Sequence, residues 1–316
     1  LAERALPWPA DLDIIIQCFT RREVVAMQRA RFLHFAEANA EWDEARFAIL
    51  GVPFDGTCSY RPGSKFGPNA IREASYNFEI YHQEHDFDLD ELPIFDAGNL
   101  EECGSADATV EAVEEQVTKM LSANKFPILL GGEHSITSGV LKAFRAMKKK
   151  VGVLQFDAHL DFRDEYLGQK NSHACASRRI SDVVGVSNLT IVGVRSICKD
   201  EMADARRLKL KYFTADEVFE RGMAAVVDDA LAYLKPKDIY VTVDIDGLDP
   251  AYAPGVGTPE PFGLTDRDLK LLLTKAAPRM VGLDLVEVCP TFDKGNTAAL
   301  AARLVREVLV LKGKEK

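Results

Sequence analysis

Residues 151–161 read Val-Gly-Val-Leu-Gln-Phe-Asp-Ala-His-Leu-Asp (VGVLQFDAHLD), a short apolar run that breaks into ionisable residues at its end. Comparable β-type runs recur along the chain: FAILGV near 47, LPIFDAG near 92, KFPILLGG near 125, NLTIVGV near 188, LKYFTA near 209, DIYVTVDID near 238 and RMVGLDLVEV near 279. Between most of them lie segments of helical periodicity, among them ATVEAVEEQVTKMLSA, ITSGVLKAFRAM, AAVVDDALAYL, TDRDLKLLLTKA and TAALAARLVREVLVL. Continuous apolar strands alternating with amphipathic helices predict a mostly parallel sheet of about eight strands, covered by helices on both faces. The expected fold is therefore α/β, a single three-layer α/β/α domain. Residues 22 to about 39 have helical periodicity and precede the first strand. This gives an expected N-terminal helical extension over 1–45 and a main domain over 46–316.

Composition narrows the possible functions. The chain has 316 residues, 47% hydrophobic and 28% charged, which excludes disorder, collagen and a coiled-coil rod. Lys and Arg total 39 against 49 Asp and Glu, a net charge of −10, so the cationic footprint of a nucleic-acid binder is missing. The one dense basic run, Lys148-Lys149-Lys150, reads as a solvated helix C-terminus. Cys18, Cys58, Cys103, Cys175, Cys198 and Cys289 form no CxxC pair, which points to reduced thiols and a cytoplasmic location. No run has the length of a membrane span. Leu1–Trp8 has neither an apolar signal core nor an initiator Met, so the start is expected to have been processed or trimmed.

In a parallel sheet, ligands bind beyond the carboxyl ends of the strands, so the residues after each run matter most. Asp157, His159 and Asp161 are spaced i, i+2, i+4, which puts all three side chains on one face of an extended chain. Asp244 and Asp246 repeat that spacing on another strand, and Gly131-Gly132-Glu133-His134 follows a third. Acids and imidazoles crowded at one spot repel and desolvate each other unless cations neutralise them. Mixed oxygen and nitrogen ligands suit Mn, Zn, Fe or Co, and the excess of carboxylates favours Mn. With His134 as a sixth ligand the set exceeds the need of one tetrahedral ion and fits a carboxylate-bridged pair. Taken singly, each motif has another explanation: strand-end acids cap helices, and paired glycines make tight turns. Their coincidence at one sheet edge favours metal binding.

The three motifs LLGGEHSIT, QFDAHLDFRDEY and VTVDIDGLDPAYAPGVGTPEP together resemble the signatures of the ureohydrolases, the arginase and agmatinase family. The flanking segments GVPFDGTCSYRPGSKFGPNAIREAS and VGLDLVEVCPTFDKGNTAALAARLV resemble the agmatinase branch. The resemblance covers roughly residues 46–311. It implies two Mn²⁺ ions per subunit, with His134 and Asp161 on one, His159 and Asp246 on the other, and Asp157 and Asp244 bridging. It further implies hydrolysis of a guanidino compound, agmatine first, to urea and an amine by a metal-bridging hydroxide. Asp161 would protonate the leaving amine, Glu287 would bind the guanidinium, and His173 would relay protons. At His173 the chain reads His173-Ala174-Cys175 where many agmatinases read His-Gly-Thr. Guanidinobutyrate, guanidinopropionate and arginine are the alternative substrates. Asp164 and Glu165 could receive a distal ammonium, and Arg163 a distal carboxylate. The resemblance also implies a homo-oligomer, trimer or hexamer.

Two readings from other classes fare worse. A non-catalytic partner subunit would be expected to lack a metal ligand, and all six positions are filled. A nucleotide binder needs GxGxxG or GxxxxGK[ST] after a strand, and neither occurs. His34, His82 and His85 lie outside the motifs and are expected to be structural or at the surface, with YHQEHDFDLDE a solvated acidic loop.

Overall fold

The computed structural model describes residues 34–314. Its strands are β1 (Phe47–Val52), β2 (Tyr81–His82), β3 (Phe87–Asp88), β4 (Ile94–Asn99), β5 (Phe126–Gly131), β6 (Gly152–Phe156), β7 (Leu189–Val194), β8 (Lys211–Thr214), β9 (Ile239–Asp244) and β10 (Met280–Val286). β2 and β3 form a small antiparallel hairpin, and the other eight form one sheet in the order β4-β1-β5-β10-β9-β6-β7-β8. Every pairing in that sheet is parallel. All eight apolar runs of the sequence are strands of it.

The helices are α1 (Gly67–Ser75), α2 (Ala106–Ser122), α3 (Thr137–Ala146), α4 (Ala176–Val184), α5 (Lys199–Leu208), α6 (Ala215–Arg221), α7 (Met223–Tyr233), α8 (Asp266–Ala276) and α9 (Asn296–Gly313). Strand residues alternate between two cores, as a pleated sheet buried on both faces requires. On β1, Phe47 and Ile49 pack with α1, α7, α8 and α9, whereas Ala48, Leu50 and Val52 pack with α2 and α3. Local capping agrees with the layers. Ser105 accepts from Ala108 N at the start of α2, and Thr265 with Asp268 makes a reciprocal cap on α8.

The strand order places the site. β5 and β6 are consecutive sheet strands in sequence, yet β10 and β9 lie between them. The carboxyl ends of β5, β10, β9 and β6 are thus neighbours at the middle of the sheet, where the crossovers change direction.

One expectation is corrected. The helix expected to run to about residue 39 does not extend over 34–39; its earlier part lies outside the described residues. There the backbone bonds sideways, Phe35 N to Asp96 Oδ2 (2.7 Å), Ala36 N to Ser75 Oγ (2.8 Å), and Asn39 N and Ala40 N to Ile94 O. Asp96 is available because Arg72 neutralises it in a buried pair at 2.8 Å. The five acids of YHQEHDFDLDE are exposed, as expected of a solvated loop, and other residues anchor the segment. His82 is buried against Glu307 at 2.9 Å and stacks on His85, and Leu89 is fully buried.

Candidate metal centre and active site

The six expected ligands come together at one sheet edge, five of them in two close groups and Asp161 beside them. β6 ends at Phe156, so Asp157, His159 and Asp161 continue its line, while β9 ends on Asp244 and a 3-10 turn (Ile245–Gly247) carries Asp246. His134 opens the turn after β5. His134 Nδ1 lies 3.2 Å from Asp157 Oδ2, 3.2 Å from Asp244 Oδ2 and 3.7 Å from Asp161 Oδ2. His159 Nδ1 lies 3.1 Å from Asp246 Oδ2 and 3.7 Å from Asp157 Oδ1. Two potential ion-holding groups result, His134–Asp157–Asp244 and Asp157–His159–Asp246, each with its ligand atoms within 4.8 Å of one another. Asp157 is common to both.

The electrostatics fit divalent cations. Burial disfavours charge on His134, His159, Asp161, Asp244 and Asp246, yet the Asp157 and Asp244 carboxylates hold the His134 imidazole well above its ordinary value, and the Asp246 carboxylate does the same for His159. Burial, with the Asp157 charge, raises Asp161; burial, with the charges of Asp246 and Asp157, raises Asp244. Asp246 goes the other way, to about 2: burial raises it, but the His159 charge, hydrogen bonds to His159 and Asp244, and the Arg195 charge together outweigh that. His134 Nδ1 is buried, faces the carboxylates of Asp157 and Asp244, and has no hydrogen-bond partner among the described residues. The residues present therefore suit a pair of divalent metal ions.

The supporting residues were not foreseen from the sequence. His134 Nε2 bonds Thr242 Oγ1 (3.0 Å), and Thr242 donates to Asp284 Oδ1 (2.5 Å). Gln155 Nε2 donates to Asp157 Oδ2 (2.8 Å). Gln155, Thr242 and Asp284 are register partners across β6, β9 and β10, forming one polar row beneath the ligands. Arg195, after β7, donates to the carbonyl oxygens of Gly193, Asp246, Gly247, Leu248 and Glu260, pinning the Asp246 turn. Glu260 Oε1 stands 3.6 Å from His159 Nε2. The available signal was a polar residue inside an apolar strand, which in a doubly covered sheet requires a partner.

A cavity of about 160 Å³ opens over the cluster, with Ser59, Asp161, His173 and Glu287 in its wall. Glu287 follows β10 in a left-handed backbone conformation (φ 64°) and accepts from His134 N at 2.8 Å. Burial and the charge of Glu133 push its carboxyl up to about 8. His173 is pushed down to about 4 by burial and the neighbouring imidazoles. Burial likewise pushes Cys175 up to about 12 and Cys289 to about 11, which leaves both thiols protonated and poor nucleophiles.

The sequence model described as the arginase family matches residues 45–311. This chain belongs to the arginase family. Among similar members, the agmatinase of Bacillus cereus is 37% identical over 281 residues, covering 87% of this chain and 95% of that protein. The N(1)-aminopropylagmatine ureohydrolase of Thermococcus kodakarensis is 39% identical over 272 residues, covering 84% and 90%. The solved structure of agmatine ureohydrolase of Thermoplasma volcanium superposes with a TM-score of 0.85 at 39% identity, covering 92% of this chain and 98% of the other. As an arginase-family ureohydrolase the protein is a hydrolase of the amidinohydrolase type, acting on a small guanidino substrate. The family's fold implies a binuclear divalent metal site, with which the two His/Asp groups agree. Among the described residues no helix is long and apolar enough to cross a membrane.

Proposed function

We propose that this ureohydrolase converts agmatine and water to putrescine and urea, with two Mn²⁺ ions per subunit. His134 and Asp161 would hold one ion and His159 and Asp246 the other, with Asp157 and Asp244 shared. When bound, such a pair supplies a water-derived nucleophile near neutral pH. Glu287 receives the planar guanidinium, since a carboxylate can accept two parallel N–H bonds from it. Asp161 hands a proton to the departing amine. His173 Nε2, in the cavity wall, exchanges protons with solvent.

The observation that carries the substrate choice is the scarcity of cations in the cavity wall, which among the described residues holds one guanidinium, that of Arg163, and no lysine. Arg163 Nε lies 3.3 Å from Glu201, and its guanidinium sits 4.4 Å above the Tyr166 ring. Glu201 offsets part of its charge, so a distal carboxylate gains less there and a dication is favoured over guanidinobutyrate, guanidinopropionate or arginine. Asp164 is also occupied, by Arg179 at 2.8 Å, which leaves Glu165 as the unpaired acid of that loop among the described residues. Urea release from Mn-loaded protein tests the choice against arginine, 4-guanidinobutyrate and 3-guanidinopropionate. Agmatine is expected to dominate, and comparable rates on arginine would refute the assignment.

We further propose a cytoplasmic homo-oligomer, trimer or hexamer, built on a catalytic domain over 46–316 with an N-terminal extension over 1–45. Support for association comes from exposed apolar side chains such as Phe219 and Phe262. Light scattering that returned a monomer mass would remove that part.

A further inference from the structure

The segment Gly51–Ser59 precedes the metal motifs and supplies no ligand, yet it docks tightly on the loop that carries His134. Gly132 N donates to Val52 O (2.8 Å) and Glu133 N to Phe54 O (2.7 Å). This brings Thr57 onto the buried Glu133 carboxylate. Thr57 N donates to Glu133 Oε2 (2.7 Å), and Thr57 Oγ1 lies 2.6 Å from Glu133 Oε1. The same hydroxyl receives His173 N (3.0 Å) and lies 3.1 Å from His173 Nδ1.

Counting hydrogens resolves the direction of these bonds. A threonine hydroxyl has one proton and two lone pairs. With its carboxyl ionised, Glu133 receives a backbone N–H on one oxygen and the Ser135 hydroxyl (2.7 Å) on the other, and it has only lone pairs to offer Thr57. A separation of 2.6 Å is that of a hydroxyl donating to a carboxylate. The Thr57 proton therefore goes to Glu133. One lone pair is taken by His173 N–H, and the other is left for His173 Nδ1, which must itself carry the proton. Ser172 Oγ, at 3.5 Å from Nδ1, is a longer contact. We propose that Thr57, held by Glu133, is the positioning residue that fixes His173 as its Nδ1–H tautomer, with the lone pair of Nε2 turned to the substrate cavity. Ser59 Oγ, 3.3 Å from Nε2, is the hydroxyl that caps this lone pair until substrate or water takes its place.

The protein uses the same arrangement at His134, with the ring nitrogens exchanged. There Thr242 accepts from Nε2–H and donates to Asp284, which frees Nδ1 for a metal. Two imidazole–threonine–carboxylate chains thus set two tautomers, one for a ligand and one for a proton carrier.

The inference rests on His173 as the proton-carrying group, but the tautomer can be read without turnover. Protein labelled with ¹⁵N-histidine and loaded with a diamagnetic divalent cation is examined by NMR at mildly alkaline pH, and His173 is assigned by its loss in H173N. The expected result is a proton-bearing Nδ1 and a lone-pair Nε2. In Thr57→Val that preference is expected to disappear, with kcat falling about 10- to 100-fold at a KM within about twofold, and Thr57→Ser should restore both. A wild-type His173 protonated on Nε2 overturns the proposal whatever the variants do. So does a Thr57→Val protein that keeps both the Nδ1–H signal and full kcat. If wild-type protein shows the expected tautomer but hydrolyses no guanidine, the tautomer assignment stands and the ureohydrolase mechanism fails.

Discussion

Asp161 is the residue on which most roles meet. It reaches within 3.7 Å of His134, lines the cavity and adopts a left-handed backbone (φ 48°) shared by Glu287 on the other side of the site. Non-glycine residues held there cost of order 1 kcal/mol or more each, tolerated where the side chain must point inward. Asp161→Asn keeps the size and removes the proton, so kcat is expected to fall by at least about 100-fold while KM changes little. Steady-state kinetics on agmatine check this, and equal losses in both constants would count against Asp161 as the donor. A second expectation concerns pH. The imidazoles of His134 and His159 are held above their ordinary value of 6.5, so they carry protons at neutral pH that an entering cation must displace. Metal affinity is therefore expected to fall as pH falls through neutrality, with protons released on binding. Calorimetry in buffers of different ionisation enthalpy measures that release, and a value of zero would contradict it. At this scale the ligands were legible because DAHLD and DID carry their own spacing. Thr57 and Glu133 were not, because their partnership spans 76 residues and exists only through loop docking.

At the scale of elements, the strands do more than support the loops. Thr242, Asp284 and Gln155 lie inside β9, β10 and β6, and each bonds a ligand or the partner of one. Thr242→Val preserves shape and removes the bond to His134, so metal affinity is expected to drop about 10- to 100-fold in a folded protein. Competition with a chelator of known strength measures it. The loop after β1 depends on a different fit. A Cβ at Gly132 would sit 2.0 Å from Phe54 O, a backbone atom that cannot yield without moving the whole loop. Gly132→Ala is expected to cost about 2 kcal/mol or more in urea unfolding. The paired glycines of GGEHS do lie in a tight strand-to-helix turn, and Gly132 also admits the segment that follows β1. The strands and the longer helices could be read because their periodicity is local. The end of the 22–39 pattern could not, because its backbone partners come from β4 and α1.

For the whole molecule, the order of the strands was the part least accessible to sequence. Apolar runs announce that strands exist, but not that β10 and β9 insert between β5 and β6. That insertion gathers ligands from residues 134, 157–161 and 244–246 into one place. Because the ions would bind only the folded chain, chelation is expected to lower the unfolding midpoint by about 5 °C or more, and added Mn²⁺ to restore it. A melting curve indifferent to chelator would argue against a metal centre built into the fold. The polar row inside the sheet has one more consequence. Engineering for heat resistance commonly swaps interior polar groups for aliphatic ones, and here such swaps would fall on Gln155, Thr242 and Asp284. The product would be a sturdier protein with a weakened grip on its cofactor, so durability and catalysis draw on the same three side chains.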